Sequence, residues 1–127
     1  MAYSEKVLEY DKLKLLLATH TLSELGRCKV EQLKPIHHID AIRHHQQLCT
    51  ESKSFYQTQG GFPLRGIQDI SPALKRARKH GAILQPDQLN NISNLIGISH
   101  KIKHKASKSN RQDFPNLFKI FDALHNF

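Results

Sequence analysis

The sequence predicts an all-α protein, an irregular multi-helix array forming one helical region over residues 1–127. Three observations lead there. No stretch alternates apolar and polar residues with a period of two, while apolar residues recur at three- and four-residue spacing along most of the chain. Helix-opening residues (Ser, Thr or Pro) stand before several such stretches, and Gly or Pro stands after them. The composition, 39% hydrophobic and 24% charged, is that of a folded soluble domain rather than a disordered chain.

The first expected helix includes Tyr10 and runs past it, with Leu13, Leu16 and Leu17 on one face. Thr21 and Glu24 have the spacing of a capping box for a second helix, which carries Leu25, Cys28 and Leu33 and stops before Pro35. A third runs from about Ile39 toward Tyr56, with Ile42, Cys49 and Tyr56 recurring every seven residues. Cys28 and Cys49 both fall in these helical stretches and are read as buried small hydrophobes, not as a disulfide or ligands. Gly60 to Asp69, dense in glycine and proline, is a loop.

The next helix has both ends written into it. Ser71 suits the N-cap, Pro72 the first helical position, and Gly81 a left-handed residue beyond the C-terminus. Lys79 and His80 would then lie in the last turn, where positive charge suits the helix dipole. At 100° per residue, Ala73, Leu74 and Ala77 share one side, while Lys75, Arg76, Arg78 and Lys79 fan across the other. One side packs and the other meets water or an anion.

Pro86 opens a longer helix with Leu89, Ile92, Ile96 and Ser99 on one side and Leu95 and Ile102 beside them. Its far end turns basic through His100, Lys101, Lys103, His104 and Lys105. Small and polar residues after that read as an internal linker over 106–114. A short helix from Pro115 carries Leu117, Phe118, Phe121 and Leu124.

The formal net charge of +8 is localised. Between Ser71 and Arg111 nine Lys or Arg residues meet one acid, Asp87, whereas the rest of the chain holds ten of each sign. Such a patch is what phosphate binding requires, because neutralising phosphates releases condensed counterions. No aromatic residue interleaves with these cations, so base stacking is not the expected mode. With no apolar run of membrane length and no signal-peptide pattern, a cytoplasmic location and no membrane partner are expected.

Catalytic chemistry finds little support. No Gly-x-Ser-x-Gly elbow is present, and Gly61 and Gly66 are followed by Ile67 and Gln68 where a phosphate-binding Walker loop needs Lys and Ser or Thr. Nine histidines raise a metal reading, with His38 and His45 seven apart and His100 and His104 at i, i+4. Against it stand the missing third ligand and Lys101, Lys103 and Lys105, which repel a cation. No catalytic residue, cofactor or metal is therefore expected within this chain.

The run Leu8-Glu9-Tyr10-Asp11-Lys12-Leu13, then Ser23-Glu24-Leu25-Gly26, Leu33-Lys34-Pro35, and the unbroken stretch from Gly66 to Ala77, resembles the start of the second-type bacterial MutS proteins. These are mismatch-repair paralogues without the mismatch-reading N-terminal domain. The likeness covers about residues 7 to 105, including Gly81 and Gln85-Pro86-Asp87-Gln88-Leu89, although Gln85 stands where a Ser or Thr cap is usual.

The resemblance implies an N-terminal piece of a helical core and lever region, ahead of a clamp-bearing helix and a dimeric ABC-type ATPase, often with a C-terminal Smr nuclease domain. It further implies ATP and Mg in the full-length protein only, a homodimer only there, and the remaining MutS-type domains as partners. DNA is the implied ligand, in repair and suppression of recombination; RNA or the ribosome, in ribosome rescue, is the alternative. Since the chain lacks the ATPase signatures, it is expected to be an N-terminal fragment or truncated relative. Lys75, Arg76, Arg78, Lys79, Lys101, Lys103 and Lys105 are the expected phosphate contacts. A structural module docking its basic face on acidic parts of the full protein is the competing expectation.

Overall fold

A computed structural model describes residues 6–124; the ends of the expected helical region, 1–5 and 125–127, lie outside the described residues. Within them the chain is all-helical, with no strand. In order come α1 (Tyr10–Thr19), α2 (Glu24–Glu31), α3 (Ile39–Gln59), α4 (Ser71–Ala77), α5 (Pro86–Ser107), a 3-10 turn (Arg111–Asp113) and α6 (Pro115–Asp122). The described residues form two compact units: residues 6–34 with 64–92, and residues 35–63 with 93–124.

In the first unit, α1 and α2 are joined by a tight turn. Ser23, in extended conformation, caps α2 by accepting the Gly26 N–H on its hydroxyl at 3.1 Å. The expected Thr21–Glu24 box is thereby corrected: the Thr21 hydroxyl donates backward to the Ala18 carbonyl at 2.7 Å, and Glu24 is the first helical residue. Neither helix has a buried residue, and Leu13, Leu16 and Leu17 are all exposed. Cys28 is exposed as well, which overturns its expected burial: none of the residues of α2 is buried.

α4 begins one residue earlier than a Ser71 cap would place it. Ser71 is helical, and the N-terminal role passes to Asp69, whose carboxylate accepts the Ser71 N–H at 2.9 Å. The helix is also shorter than expected. It ends at Ala77, so Lys79 and His80 lie in the turn that follows, while Gly81 takes its expected left-handed conformation at φ 76°. Of the expected packing side only Ala73 is buried; Leu74 and Ala77 are exposed.

The second unit has an aromatic core. Phe55, with no exposed surface, meets Phe62 in a stacked pair at 5.1 Å, Phe114 edge-on at 5.4 Å and Phe121 at 5.3 Å. Ala106, Leu117 and Phe118 complete it, with Leu48 and Ile102 packed alongside. Offset and edge-to-face aromatic pairs add about 0.5–1.5 kcal/mol each beyond burial, so Phe55 is the anchor of this unit. The inward stripe of α3 is thus Leu48, Glu51 and Phe55, at i, i+3 and i+7. The expected stripe of Ile42, Cys49 and Tyr56 is corrected: Ile42 is half-buried, Cys49 is exposed and Tyr56 is 58% exposed.

α5 keeps its expected start. Gln85 supplies half of a capping box, its N–H donating to the Gln88 side-chain oxygen at 3.0 Å. Its buried residues are Ile98, Ser99 and Ala106 rather than the whole expected side; Ile92 and Ile96 are half-buried and Leu89 is exposed. Residues 106–107 finish α5 and 111–113 form the 3-10 turn, so five of the nine residues of the expected linker 106–114 lie in helical structure. α6 buries Leu117, Phe118 and Phe121 as its spacing requires.

Candidate nucleic-acid interface

Lys75, Arg76, Arg78 and Lys79 are all exposed, on α4 and the turn after it. The positive φ of Gly81 folds the chain back under the helix end. An open groove of about 760 Å³ results, in which Lys75, Arg76 and Lys79 face Ala82 and Ile83, with Pro72 at one side. None of the four cations has an ion-pair partner among the described residues. Asp69, just ahead of α4, is an acidic residue that feels Lys75. Its carboxyl is held below the usual carboxylate range, first by the Ser71 hydroxyl and then by the Ser71 N–H, with a smaller contribution from Lys75. Unpaired cations along an open groove suit a ligand with repeated negative charge, and no aromatic lines the groove to stack a base.

The other three expected contacts belong to the second unit and do three different things. Lys101 is exposed on α5. Lys103 is half-buried in a hollow with Phe118, Phe121 and Asp122, and its charge is felt at the Asp122 carboxylate. Lys105 is half-buried, its ammonium donating to the carbonyls of Gln59 at 2.8 Å and Gly61 at 2.9 Å. It closes the C-terminal end of α3, where unpaired carbonyls attract a cation.

Two polar residues that the sequence did not single out organise the second unit. Glu51 is buried, and its carboxylate accepts the N–H groups of Asn116 at 2.8 Å and Leu117 at 2.9 Å and the Asn116 side-chain amide at 2.8 Å. It therefore caps α6 from another helix. The available signal was negative: Phe114 precedes Pro115, so α6 has no local capping side chain and needs a distant acceptor. Arg111 makes a two-pronged pair with Asp122, at 2.7 and 2.9 Å, and its guanidinium lies 4.8 Å from the centre of the Phe118 ring.

Among the described residues, no group of three or more His, Cys, Asp or Glu side chains could hold a metal ion, and no helix is long and apolar enough to cross a membrane. The fold and the groove define a helical module with an open cationic face. No protein-family model matches the chain, and no solved structure matches it. Curated proteins do. The chain is 37% identical over 113 residues to Endonuclease MutS2 of Geobacillus sp. (strain WCH70), covering 87% of this chain and 14% of that protein. It is 39% identical over 98 residues to Endonuclease MutS2 of Halalkalibacterium halodurans, covering 77% of this chain and 12% of that one. Endonuclease MutS2 of Shouchella clausii is 37% identical over 93 residues. The chain belongs to the MutS2 family as a region of it, and it spans only 12–14% of the length of these relatives.

Proposed function

We propose that this chain is an N-terminal core or lever segment of a MutS2-type ATPase, linking the nucleotide state of that ATPase to nucleic-acid binding. Its own contribution is a phosphate-contacting surface on α4, made by Lys75, Arg76, Arg78 and Lys79 without reading base sequence. The observation that carries this is the groove beside Gly81, lined by exposed cations with no ion-pair partner among the described residues. The relatives' printed name, an endonuclease, supports a nucleic-acid ligand for the whole protein. No catalytic step is assigned to these residues. Fluorescence anisotropy against duplex DNA, a four-way junction and structured RNA tests the reading, and preference among the three separates recombination control from ribosome rescue.

A second reading is favoured by a separate observation. Val7, Leu8, Leu13, Leu15, Leu16, Leu17, Leu22 and Leu25 are all at least 40% exposed. So many exposed apolar side chains, spread over α1, the start of α2 and the residues beside them, suit a surface that another domain covers. On this reading α1 and α2 serve as a docking element for the remaining MutS-type domains, and the α4 cations meet an acidic surface there. Reversing the charge of Lys75 and Arg78 in a full-length protein separates the two: lost nucleic-acid binding supports the first, and disturbed assembly with binding intact supports the second.

A further inference from the structure

The basic end of α5 does not present the side chains that its lysine count implies. Lys105 is held on the Gln59 and Gly61 carbonyls, and Lys103 is half-buried in the hollow beside Asp122. What remains exposed there is His100, Lys101 and His104. These three line one side of an open groove of about 370 Å³, with Pro63 opposite and Lys105 at its end.

The arrangement has a simple geometry. At 100° per residue the three side chains fall within an arc of about 100°, and residues four apart on a helix have Cβ atoms about 5–6 Å apart. His100 and His104 are therefore neighbours on the helix surface, with Lys101 at the edge of the arc and three residues from His104, an arrangement that can address one phosphate or two adjacent ones. The charged or titratable residues of the groove are His100, Lys101, His104 and Lys105; Pro63, from the facing loop, adds no charge, and no carboxylate is present. An imidazole offers N–H donors on both ring nitrogens only when protonated. Proton uptake and anion binding at such a site reinforce each other.

We propose that His100, Lys101 and His104 form a second phosphate-contacting patch, in the second unit, whose grip on a nucleic-acid backbone strengthens as pH falls from 8 to 6. This rests on the reading of the chain as a polyanion-binding module and adds the residues and the pH control. The patch replaces Lys103 and Lys105 as the contribution of α5.

The test is fluorescence anisotropy of the whole chain with a labelled DNA duplex, in a salt series at pH 8 and at pH 6. The wild-type slope of log K against log salt is expected to be steeper at pH 6 by up to about 1.8, two phosphates at about 0.9 each. H100Q/H104Q, confirmed folded by circular dichroism, should lose that increment, whereas H80Q should keep it. K101Q should lower the slope by about 0.9 at both pH values. An unchanged wild-type slope, or an increment that survives in H100Q/H104Q, overturns the proposal while leaving the α4 reading intact. Absence of wild-type binding at every salt and pH removes the polyanion reading and this proposal with it.

Discussion

The carboxylate of Glu51 accepts the backbone N–H of Leu117 at 2.9 Å, joining residues 66 positions apart. It takes the Asn116 N–H as well, so one buried side chain of α3 satisfies two of the unpaired donors that open α6. α6 carries three of the core residues of its unit, Leu117, Phe118 and Phe121. The cap therefore fixes the position of the aromatic core and not only the end of one helix. Glu51→Ala is expected to destabilise the protein by about 2–3 kcal/mol, the sum of a lost cap and amides left without a partner. Glu51→Gln, which keeps an acceptor, should lose about half as much. Urea unfolding measures both; Glu51→Ala unfolding at the wild-type midpoint would show that the cap contributes nothing.

Lys101 and Lys105 stand four residues apart on α5 and should respond oppositely to removal of their charge. Lys105→Met leaves the Gln59 and Gly61 carbonyls without their donor and should cost about 1–3 kcal/mol. Lys101→Met, at an exposed position, should change stability by no more than about 0.5 kcal/mol and weaken nucleic-acid binding instead. Paired unfolding and binding measurements decide it. Equal stability of the two variants would contradict the division of roles.

Gly60 and Gly61 both have positive φ, at 73° and 89°, yet they should not tolerate a methyl group equally. A Cβ on Gly60 meets nothing within 4 Å, so Gly60→Ala carries only the left-handed backbone penalty, about 1–2 kcal/mol. A Cβ on Gly61 would lie 2.9 Å from the Tyr56 ring, which must move. Thermal melts should place Gly61→Ala below Gly60→Ala, and Tyr56→Ala should bring the two closer together.

Acid should weaken the contact between the 3-10 turn and α6. The two-pronged hydrogen bond from Arg111 holds the Asp122 carboxyl below its ordinary value, with Lys103 assisting weakly. A carboxyl depressed in the folded state contributes stability that is fully present above its unfolded value, about 3.9, and is lost as pH falls through the folded value. The stability difference between wild type and Asp122→Asn should thus be constant from pH 7 to 5 and shrink below about pH 4. A difference that persists unchanged at pH 2 would assign the effect to packing.

The helical class and most of its punctuation were legible from local chemistry. Pro86 and Pro115 open helices and Gly81 turns left-handed because each decides its own backbone geometry. The α4 cations were legible too, since a short exposed helix leaves them where the sequence puts them. Burial was not. Cys49 and Tyr56 have the spacing of a core stripe, but the face of α3 that packs is chosen by Phe55 and its partners Phe114 and Phe121, which arrive from far along the chain. The same distance hides the tasks of Lys105 and Glu51. A lysine looks like a free cation, and a glutamate like a solvated anion, until a helix end needing that charge is brought beside it.

If the cations of α4 and the turn after it contact phosphates, the salt dependence of binding must report it. For duplex DNA at pH 7.5, replacing Lys75, Arg76, Arg78 and Lys79 with Ala should reduce the slope of log K against log salt by about 2–4, at about 0.9 per phosphate released. Circular dichroism should stay unchanged, because all four side chains are exposed. A variant that binds with the wild-type slope would place the phosphate contacts elsewhere and leave α4 as a docking face.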